Sequence, residues 1–331
     1  MKIFRLIVLI IHLGILFLLL GTLLNAYVPP KIFPWFNLLS LGFPVLIILY
    51  IILTVFWMLS WKKRTFVFMF AGLAFINPVK RWVNYSDQNQ KPGSEIKVIS
   101  FNTRAGRIGN KEVEPYLKSQ NADVILLQED AGIKYKFEGY QKANPGGGLT
   151  ILTKHKIIKQ QMIDPQDEGV RIPGLMADIE INGRTYRFID VYLNPFRFQK
   201  EMVKLNGDTD NDEQKIKDVI KRLIPTFKKH QEQIDLIREV IDNSPYPVIL
   251  TGDFNSVPNS YEYYHLSEGL EDAFLTAGKG SATSFHDYKF PIRIDYVFSS
   301  KSIKAISYKV DRSISISDHY PVTVKFSAEN K

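Results

Sequence analysis

The chain has 331 residues and a formal net charge of +8, and this charge comes from its first quarter. Eight of the 42 Lys and Arg residues lie in residues 1–85, which contain no Asp or Glu, so the 34 basic residues that follow equal the 34 acidic ones. A neutral C-terminal part gives no sign of the basic surface typical of nucleic-acid binding. The absence of Cys excludes disulfide bonds, thiolate metal sites and a cysteine nucleophile.

The first predicted elements are long apolar segments. Residues 6–24 contain His12 as their one ionisable residue, and residues 32–61 contain no charged residue. A helix needs about 20 apolar residues to cross a bilayer core. A cleaved signal peptide is the alternative for the first segment, but Asn25-Ala26-Tyr27 is not a small-x-small cleavage site. We therefore predict a transmembrane module at 1–85, with helices at about 4–25, 38–61 and 65–83.

The third apolar segment, residues 65–79, decides on which side of the membrane the rest of the chain lies. Lys2 and Arg5 precede the first helix and residues 62–64 (Lys-Lys-Arg) follow the second, so the positive-inside rule places both groups in the cytoplasm. If the third segment lay in the interface, the remaining domain would be cytoplasmic. Its Phe-rich, uncharged composition favours spanning. We expect a multi-pass protein of the inner (cytoplasmic) membrane with its C-terminal domain on the extracytoplasmic side.

The rest of the chain has the pattern of a single large folded domain. Residues 86–94 are polar and predict a linker, and strand-like segments then recur over residues 95–328. Helical periodicity is clearest at 231–241, whereas residues 197–228 are charge-rich and weakly periodic and are interpreted as an insertion over the surface. Many strands with a few helices predict an α+β or α/β layered fold.

Polar residues stand at the ends of several strand-like segments, where each one alone would be an ordinary turn former. Together they form an ordered series of blocks: Ser100-Phe101-Asn102-Thr103, Leu127-Gln128-Glu129, Asp190-Val191-Tyr192-Leu193, Gly252-Asp253-Phe254-Asn255, Arg293-Ile294-Asp295-Tyr296 and Ser317-Asp318-His319-Tyr320-Pro321. Hydrolysis of a phosphoester needs a cation on the phosphoryl oxygens, an activated water and a group that stabilises the developing charge. Carboxylates, amides and one imidazole are residue types that supply these functions.

Three of these residues are candidate metal ligands. Hard oxygen ligands are what Mg²⁺ prefers. Glu129 follows a strand too apolar to lie on the surface and is the predicted metal carboxylate, with Asn102 adding an amide oxygen. Asp318 is the predicted further ligand, directly or through water. The expected cofactor is Mg²⁺ or Mn²⁺.

The candidate catalytic residues are His319, Asp295, Asp253, Asn255 and Tyr192. Neighbouring side chains of an extended chain point apart, so the orienting partner of His319 should come from elsewhere, and Asp295 is the candidate. Asp253 would align or deprotonate the water, or protonate the leaving oxygen, and the sequence leaves these roles open. Asn255 points to the same face as Asp253 and could donate a hydrogen bond to a phosphate oxygen.

The ordered blocks resemble the endonuclease/exonuclease/phosphatase superfamily over nearly all of residues 95–328. The resemblance implies a four-layer α/β/β/α sandwich, two packed mixed sheets flanked by helices, with Asp295 and His319 as a catalytic dyad. One block departs from the commonest pattern, since Tyr192 stands where many members carry His, as it also does in the abasic-site endonuclease branch. A phenol donates a hydrogen bond to phosphate but is a poor substitute for imidazolium. His286 and Arg293 lie in the expected substrate-side loop and are candidate substrate-binding residues.

The resemblance implies a membrane-anchored, divalent-metal-dependent hydrolase of phosphoester bonds, that is, a phosphodiesterase, a nuclease or a phosphatase. Its expected partners are the lipid bilayer and a phosphoester substrate, which could be lipid-linked, a small phosphate or nucleic acid; no obligate protein partner is inferred. The alternative is a catalytically inactive, membrane-tethered scaffold or binding protein. Such a protein would be expected to have lost metal or dyad residues, and this chain retains them.

Overall fold

The computed structural model of the chain describes residues 2–86, 94–107, 110–130, 135–146, 148–164, 172–197, 207, 209–287 and 291–328. Nearly all of the linker predicted at 86–94 lies outside the described residues, as does part of the segment 197–228. Residues 2–82 are called the N-terminal module below, and residues 94–328 the C-terminal domain.

The N-terminal module begins with two helices, α1 (Lys2–Leu23) and α2 (Trp35–Leu59). Both are long and apolar enough to cross a membrane. His12, within the apolar segment of α1, is buried and its Nδ1 accepts a hydrogen bond from Trp57 Nε1 of α2 at 3.1 Å. Burial of a polar ring between apolar helices requires such a partner on the facing helix.

The segment predicted as a third helix at 65–83 is divided in two. Helix α3 covers Arg64–Gly72 and α4 covers Ile76–Lys80, with a 3-10 turn at Leu73–Phe75 between them. Pro78 has no N–H to donate to the carbonyl four residues earlier, so a regular helix through this point would lack that bond. The proline thus favours a break here, although Pro44 lies inside the continuous helix α2.

The strands and remaining helices follow in chain order. The strands are β1 (Val83–Tyr85), β2 (Ser94–Asn102), β3 (Val124–Gln128), β4 (Gln141–Gly146), β5 (Leu149–Thr153), β6 (Lys156–Ile163), β7 (Gly174–Ile181), β8 (Arg184–Tyr192), β9 (Val248–Asp253), β10 (Leu270–Asp272), β11 (Lys279–Ser281), β12 (Asp295–Ser300), β13 (Lys304–Val310) and β14 (Val322–Ala328). The helices are α5 (Asn110–Gln120), α6 (Thr209–Asp242), α7 (Tyr261–Leu266) and α8 (Ala273–Ala277).

Two six-stranded mixed sheets form the C-terminal domain. The first sheet has the strand order β13-β14-β2-β3-β5-β4, and the second has the order β10-β12-β9-β8-β7-β6. In the first sheet β2 and β3 are parallel, and in the second β8 and β9 are parallel. The short strand β1 pairs with β11 and so joins the end of the N-terminal module to the C-terminal domain.

Apolar residues at alternate positions bury both faces of the central strands. Ile96 and Val98 of β2 lie in the core between the sheets with Phe188 of β8, whereas Ile99 and Phe101 pack against α5. Helices α6 and α7 cover the outer face of the second sheet in the same way. The predicted α+β fold, with two mixed sheets flanked by helices, is confirmed.

Helix α6 is longer than the periodic segment at 231–241. Residues 209–228, part of the predicted surface insertion, form its first half. Ion pairs one turn apart, such as that of Lys217 with Glu213 (2.6 Å), support this highly charged half. Only Leu223 and Phe227 are buried among its described side chains, which explains why the apolar periodicity is weak there.

Candidate active site

Both sheets bring polar side chains to one common edge. Asn102 ends β2 and Glu129 directly follows β3, and these strands are parallel, so the two residues emerge side by side. Tyr192 and Asp253 end the parallel strands β8 and β9 of the second sheet and are paired in register. Asn102 Nδ2 donates a hydrogen bond to Asp253 Oδ2 at 3.0 Å, so the two groups of residues meet in one cleft.

His319 lies between two buried carboxylates. Its Nδ1 is 2.8 Å from Asp295 Oδ2, and its Nε2 is 3.8 Å from Asp253 Oδ2. All three residues are at least 95% buried. The structure thus brings together the predicted pair, Asp295 and His319, with Asp253 on the other side of the ring.

The surroundings of these groups shift their protonation equilibria. Burial alone would lower the pKa of His319, but the neighbouring carboxylates of Asp295 and Asp253 raise it to about 10. Burial raises the pKa of Asp253 to about 7, with a further contribution from Asp295 that the charge of His319 opposes. At neutral pH His319 is therefore an imidazolium held by Asp295, beside an Asp253 carboxyl whose pKa is raised by burial.

Glu129 is fixed by two donors from opposite sheets. Its Oε1 accepts a hydrogen bond from Tyr192 Oη at 2.6 Å, and Asn102 Nδ2 lies 3.3 Å from the same oxygen. The backbone of Glu129 has a φ of +50°. A left-handed conformation in a residue other than glycine costs on the order of 1–3 kcal/mol and persists where surrounding structure imposes it. The hydrogen bonds from Tyr192 and Asn102 hold this carboxylate in the cleft.

The turn after β9 holds Asp253 in place. The backbone N–H of Asn255 donates to Asp253 Oδ1 (2.8 Å), while Asn255 Nδ2 donates to Leu193 O (3.0 Å) and Asp253 Oδ2 (3.2 Å). Both amide hydrogens of Asn255 are thus engaged, and in this structure the residue orients Asp253.

Gly252 has a φ of +139°, and a Cβ there would lie 2.0 Å from Val191 O, so only glycine permits this approach of β9 to β8.

Asp318 and His286 lie on the more exposed side of the cleft. Asp318 Oδ2 is 3.2 Å from Arg104 Nη1, and Ser317 Oγ lies 3.1 Å from Asp318 Oδ1 and donates to Asn102 O at 2.8 Å. The backbone N–H of His286 donates to Asp318 O (3.1 Å), and its ring stacks on Tyr320. His286 is therefore beside the cleft, and its contact with substrate stays a prediction.

Arg293 is the one predicted site residue whose side chain the structure places elsewhere. Its guanidinium is 1% exposed and forms a two-pronged ion pair with Asp272 at 2.7 and 2.9 Å. It also lies against the rings of Phe274 and Tyr296. A buried cation needs a paired anion, and for Arg293 this anion is Asp272. The guanidinium predicted to bind substrate is therefore bound to Asp272 in the fold.

Two features of the site were not predicted. Arg104 follows Asn102 closely and brings a partly exposed cation to the cleft, but it stands outside any recognisable pattern. Gln128 Nε2 donates to Asp190 Oδ1 at 2.5 Å, a buried link between the sheets directly behind Glu129 and Tyr192, and burial raises the pKa of Asp190 well above its usual value. A signal was present, since Gln128 ends the otherwise apolar β3 and Asp190 lies within the otherwise largely apolar run 188–193.

The donor set suits a hard divalent cation. Ligand atoms of Asp253, Asp295 and His319 all lie within 4.8 Å of one another, so these groups could hold a metal ion. However, the imidazole nitrogen that faces Asp295 is already engaged in their 2.8 Å contact. Glu129 offers a half-buried carboxylate instead, and hard oxygen is the ligand type that Mg²⁺ and Mn²⁺ take. A cation near Glu129 and Asp253 would also offset the cost of burying their charge.

Several solved structures have a fold similar to that of this chain. The solved structures similar to this chain include a humanized D. rerio TDP2, with 16% identity and a TM-score of 0.52, over 71% of this chain and 100% of that one. A mannosyl-6-phosphatase of Bacteroides thetaiotaomicron VPI-5482 has 17% identity and a TM-score of 0.50, over 70% and 99% of the two chains. The 3' phosphatase NExo from Neisseria, bound to a product DNA hairpin, has 19% identity and a TM-score of 0.50, over 70% and 99%. At such identities the likeness shows the fold alone.

Sequence models give the family. Residues 4–82 match a domain of unknown function (DUF8431), which corresponds to the N-terminal module. The comparison with curated proteins finds no match. The model of the Endonuclease/Exonuclease/phosphatase family matches residues 99–319, which is more than half of the chain and includes every candidate site residue. The chain therefore belongs to the endonuclease/exonuclease/phosphatase family.

Proposed function

We propose that the protein is a membrane-anchored hydrolase of phosphoester bonds that depends on Mg²⁺ or Mn²⁺. The observation that carries the proposal is the position of Asn102, whose Nδ2 lies 3.3 Å from Glu129 Oε1 and 3.0 Å from Asp253 Oδ2. One amide thus ties the candidate metal carboxylate of the first sheet to the carboxylate that borders His319 in the second. Packing alone gives no reason to bury so many ionisable side chains together, because burial of a charged group costs free energy.

The side chains would divide the chemistry as follows. A divalent cation held by Glu129 would neutralise charge on the phosphoryl oxygens. The proposed further ligands are Asp318 and the amide oxygen of Asn102, which here accepts the backbone N–H of Arg104 at 3.0 Å and would exchange that bond for the cation. Asp253, whose carboxylate Asn255 holds, would align and deprotonate the attacking water. His319, oriented by Asp295, would donate its Nε2 hydrogen to the phosphate in the transition state. Tyr192 would fix Glu129 through their 2.6 Å hydrogen bond.

The direct test is hydrolysis of a chromogenic phosphodiester by the detergent-solubilised chain, with Mg²⁺ and with chelator. We expect chelator to abolish turnover, and Glu129→Ala and His319→Ala each to lower kcat by about 10²-fold or more. Glu138→Ala and His155→Ala remove the same residue types outside the cleft and should retain wild-type turnover. Equal turnover by the wild type and both cleft variants would exclude this site as the source of activity.

We further propose that the C-terminal domain lies on the extracytoplasmic side of the inner membrane. Lys2 and Arg5 begin α1, and Lys62 to Arg64 follow α2, so five of the eight basic residues of the module share one end of the helix pair, and Lys31, Lys80 and Arg81 lie at the other. The C-terminal domain contacts the opposite end, where Asn37 of α2 donates to Glu262 of α7. Residues 64–80 return the chain to that end through α3, a 3-10 turn and α4. If the two helices were collinear, at ~1.5 Å per residue they would cover about 25 Å, somewhat less than a hydrocarbon core of about 30 Å. By the positive-inside rule, the end with five basic residues favours the cytoplasm, which supports a domain on the other side of the membrane.

Because the chain has no Cys, single-cysteine variants test this topology without background labelling. Lys301 lies on the C-terminal domain and Lys63 between α2 and α3, and both are exposed. A membrane-impermeant maleimide should label Lys301→Cys in intact spheroplasts and Lys63→Cys only after permeabilisation. The reverse pattern would show a cytoplasmic C-terminal domain.

A further inference from the structure

The cleft edge of the second sheet continues directly into contacts with the N-terminal module. After Tyr192, the carbonyl of Asn194 is 2.7 Å from His230 Nε2, and His230 Nδ1 is 2.7 Å from Glu262 Oε1. Glu262 accepts two hydrogen bonds from Asn37 Nδ2 at 2.9 and 3.0 Å. His230, Glu262 and Asn37 are buried, so this chain of contacts links β8 to the first turn of α2.

The turn after β9 makes a second link. Asn259 O accepts hydrogen bonds from Asn25 Nδ2 at 3.0 Å and from Ser40 Oγ at 2.8 Å, and Arg81 Nη1 donates to Asn259 Oδ1 at 2.9 Å. Asn259 follows the cleft residue Asn255 by four positions, so their Cα atoms are at most about 14 Å apart. Asn255 therefore lies within about 14 Å of the Asn259 backbone, which binds Asn25 in the turn after α1 and Ser40 of α2.

The segment before β12 makes a third link. Arg293, two residues before Asp295, donates from Nη1 to Arg81 O at 3.1 Å, at the end of α4. The guanidinium of Arg81 in turn lies over the rings of Tyr263 and Tyr264. Cleft residues come from three neighbouring strands, β8, β9 and β12. The segments directly after β8 and β9 and directly before β12 are thus each linked by hydrogen bonds to the same end of the N-terminal module.

That end of the module carries exposed aromatic residues of the kind found at a membrane surface. Tyr27 and Trp35, which are 79% and 47% exposed, lie between α1 and α2 and at the start of α2. Aromatic residues of this kind concentrate at the level of the lipid headgroups. The polar layer of each leaflet extends roughly 5–7 Å beyond the hydrocarbon core. The cleft edge of the second sheet is thus held beside the end of the module that would meet this layer, whereas an anchor alone would need only a flexible tether.

We infer that the substrate is a phosphate ester carried by a membrane lipid, presented to the cleft from the bilayer to which the domain is fastened. This inference rests on the proposed phosphoesterase function. A fixed orientation toward the bilayer brings no advantage for a substrate that arrives from solution. For a lipid headgroup, it replaces a search in three dimensions by one within the membrane surface and pre-aligns the phosphate.

The test keeps the phosphate chemistry constant and changes only its membrane anchorage. The full chain is reconstituted in phosphatidylcholine vesicles with Mg²⁺, and headgroup or phosphate release is measured from phosphatidylglycerol and phosphatidic acid. Each lipid is supplied as the dioleoyl form, which stays in the bilayer, and as the dibutyryl form, which is soluble. We expect the dioleoyl form of at least one lipid to be turned over about 10²-fold more efficiently than its soluble counterpart. Equal or faster hydrolysis of the soluble form of both lipids would overturn the inference.

A variant separates orientation from simple tethering. Asn37→Leu removes the bonds between α2 and Glu262 without touching a cleft residue. Its activity on dioleoyl lipid should fall by about tenfold while that on dibutyryl lipid is unchanged, since alignment and not chemistry is lost. Thr54→Ala, elsewhere on α2, is the matched control and should leave both unchanged. An equal fall on both lipid forms would contradict a role of orientation.

The proposed function is read out separately in the same preparation. If chelator-sensitive hydrolysis of the chromogenic diester persists while neither lipid is preferred over its soluble form, the lipid inference alone fails. If the diester is not hydrolysed either, the proposed function fails.

Discussion

At the scale of single residues, the site depends on how an imidazole is held between carboxylates. Asp295 contacts His319 Nδ1 at 2.8 Å, and Asp253 borders the Nε2 side at 3.8 Å. Together they keep the pKa of His319 at about 10 against the effect of burial. The ring is therefore a hydrogen-bond donor throughout the neutral range, the form that stabilises a charged phosphate.

Replacing Asp295 should reveal this arrangement in the pH profile. Asp295→Asn keeps the size of the side chain but removes a negative charge, so the pKa of His319 falls and the imidazolium is lost at lower pH. We expect kcat to drop by about 10²-fold at neutral pH, and the basic limb of the kcat/KM profile to move to lower pH. The exposed replacement Asp242→Asn should leave both unchanged. An unshifted basic limb would show that Asp295 does not set the protonation state of His319.

Sequence alone could predict most of this cleft because its residues have a common local signature. Asn102 and Asp253 end β2 and β9, and Glu129 follows β3, each after a run of buried residues, where a polar residue needs a special reason. Arg104 has no such signature, because its position in the cleft comes from the turn after β2 and from contacts with Asp318. The engagement of both amide hydrogens of Asn255 likewise depends on the approach of Leu193, which belongs to another strand.

At the scale of secondary-structure elements, Arg293 shows how distant contacts decide a role. It lies two residues from Asp295, and spacing alone suggests a common face. In the fold its guanidinium turns to Asp272, at the end of β10, and to Arg81 O in the N-terminal module. Neither partner can be read from the local sequence, and the residue holds elements together.

Stability measurements distinguish this role from substrate binding. Arg293→Ala leaves Asp272 buried without its cation, and breaking a buried pair costs about 3–5 kcal/mol. We expect a lower Tm in detergent with little change of KM in the folded protein. Arg238→Ala breaks an exposed pair with Asp242 and should cost at most about 1 kcal/mol. A raised KM with an unchanged Tm would instead support substrate contact by Arg293.

The sequence predicts the length and course of a helix less well where contacts with other elements, and not the local pattern of apolar residues, decide them. The first half of α6 has few buried side chains, so its helical period is faint, although its charges pair at helical spacing. The segment 65–83 has a uniform apolar composition, and the effect of Pro78 on its course became evident only in the fold. The sheets were predictable as a class because strands buried on both faces give continuous apolar runs.

At the scale of the whole molecule, the two parts of the chain differ in charge as well as in structure. The net charge of +8 comes from the N-terminal module, while the C-terminal domain is formally neutral. Sequence indicated this division, but it did not show that the cleft edge of the second sheet is the one fastened to the module. That relation depends on pairs such as Asn25 with Asn259, whose members are far apart in the chain.

The central claim is that the two sheets close around one divalent cation held by Glu129. The most direct measurement is an anomalous difference map from crystals of the protein soaked with Mn²⁺. We predict a peak within bonding distance of a Glu129 carboxylate oxygen, at about 2.0–2.2 Å, which disappears in Glu129→Gln. A peak between Asp295 and His319 that survives this substitution, or no peak in the cleft at saturating Mn²⁺, would contradict the account.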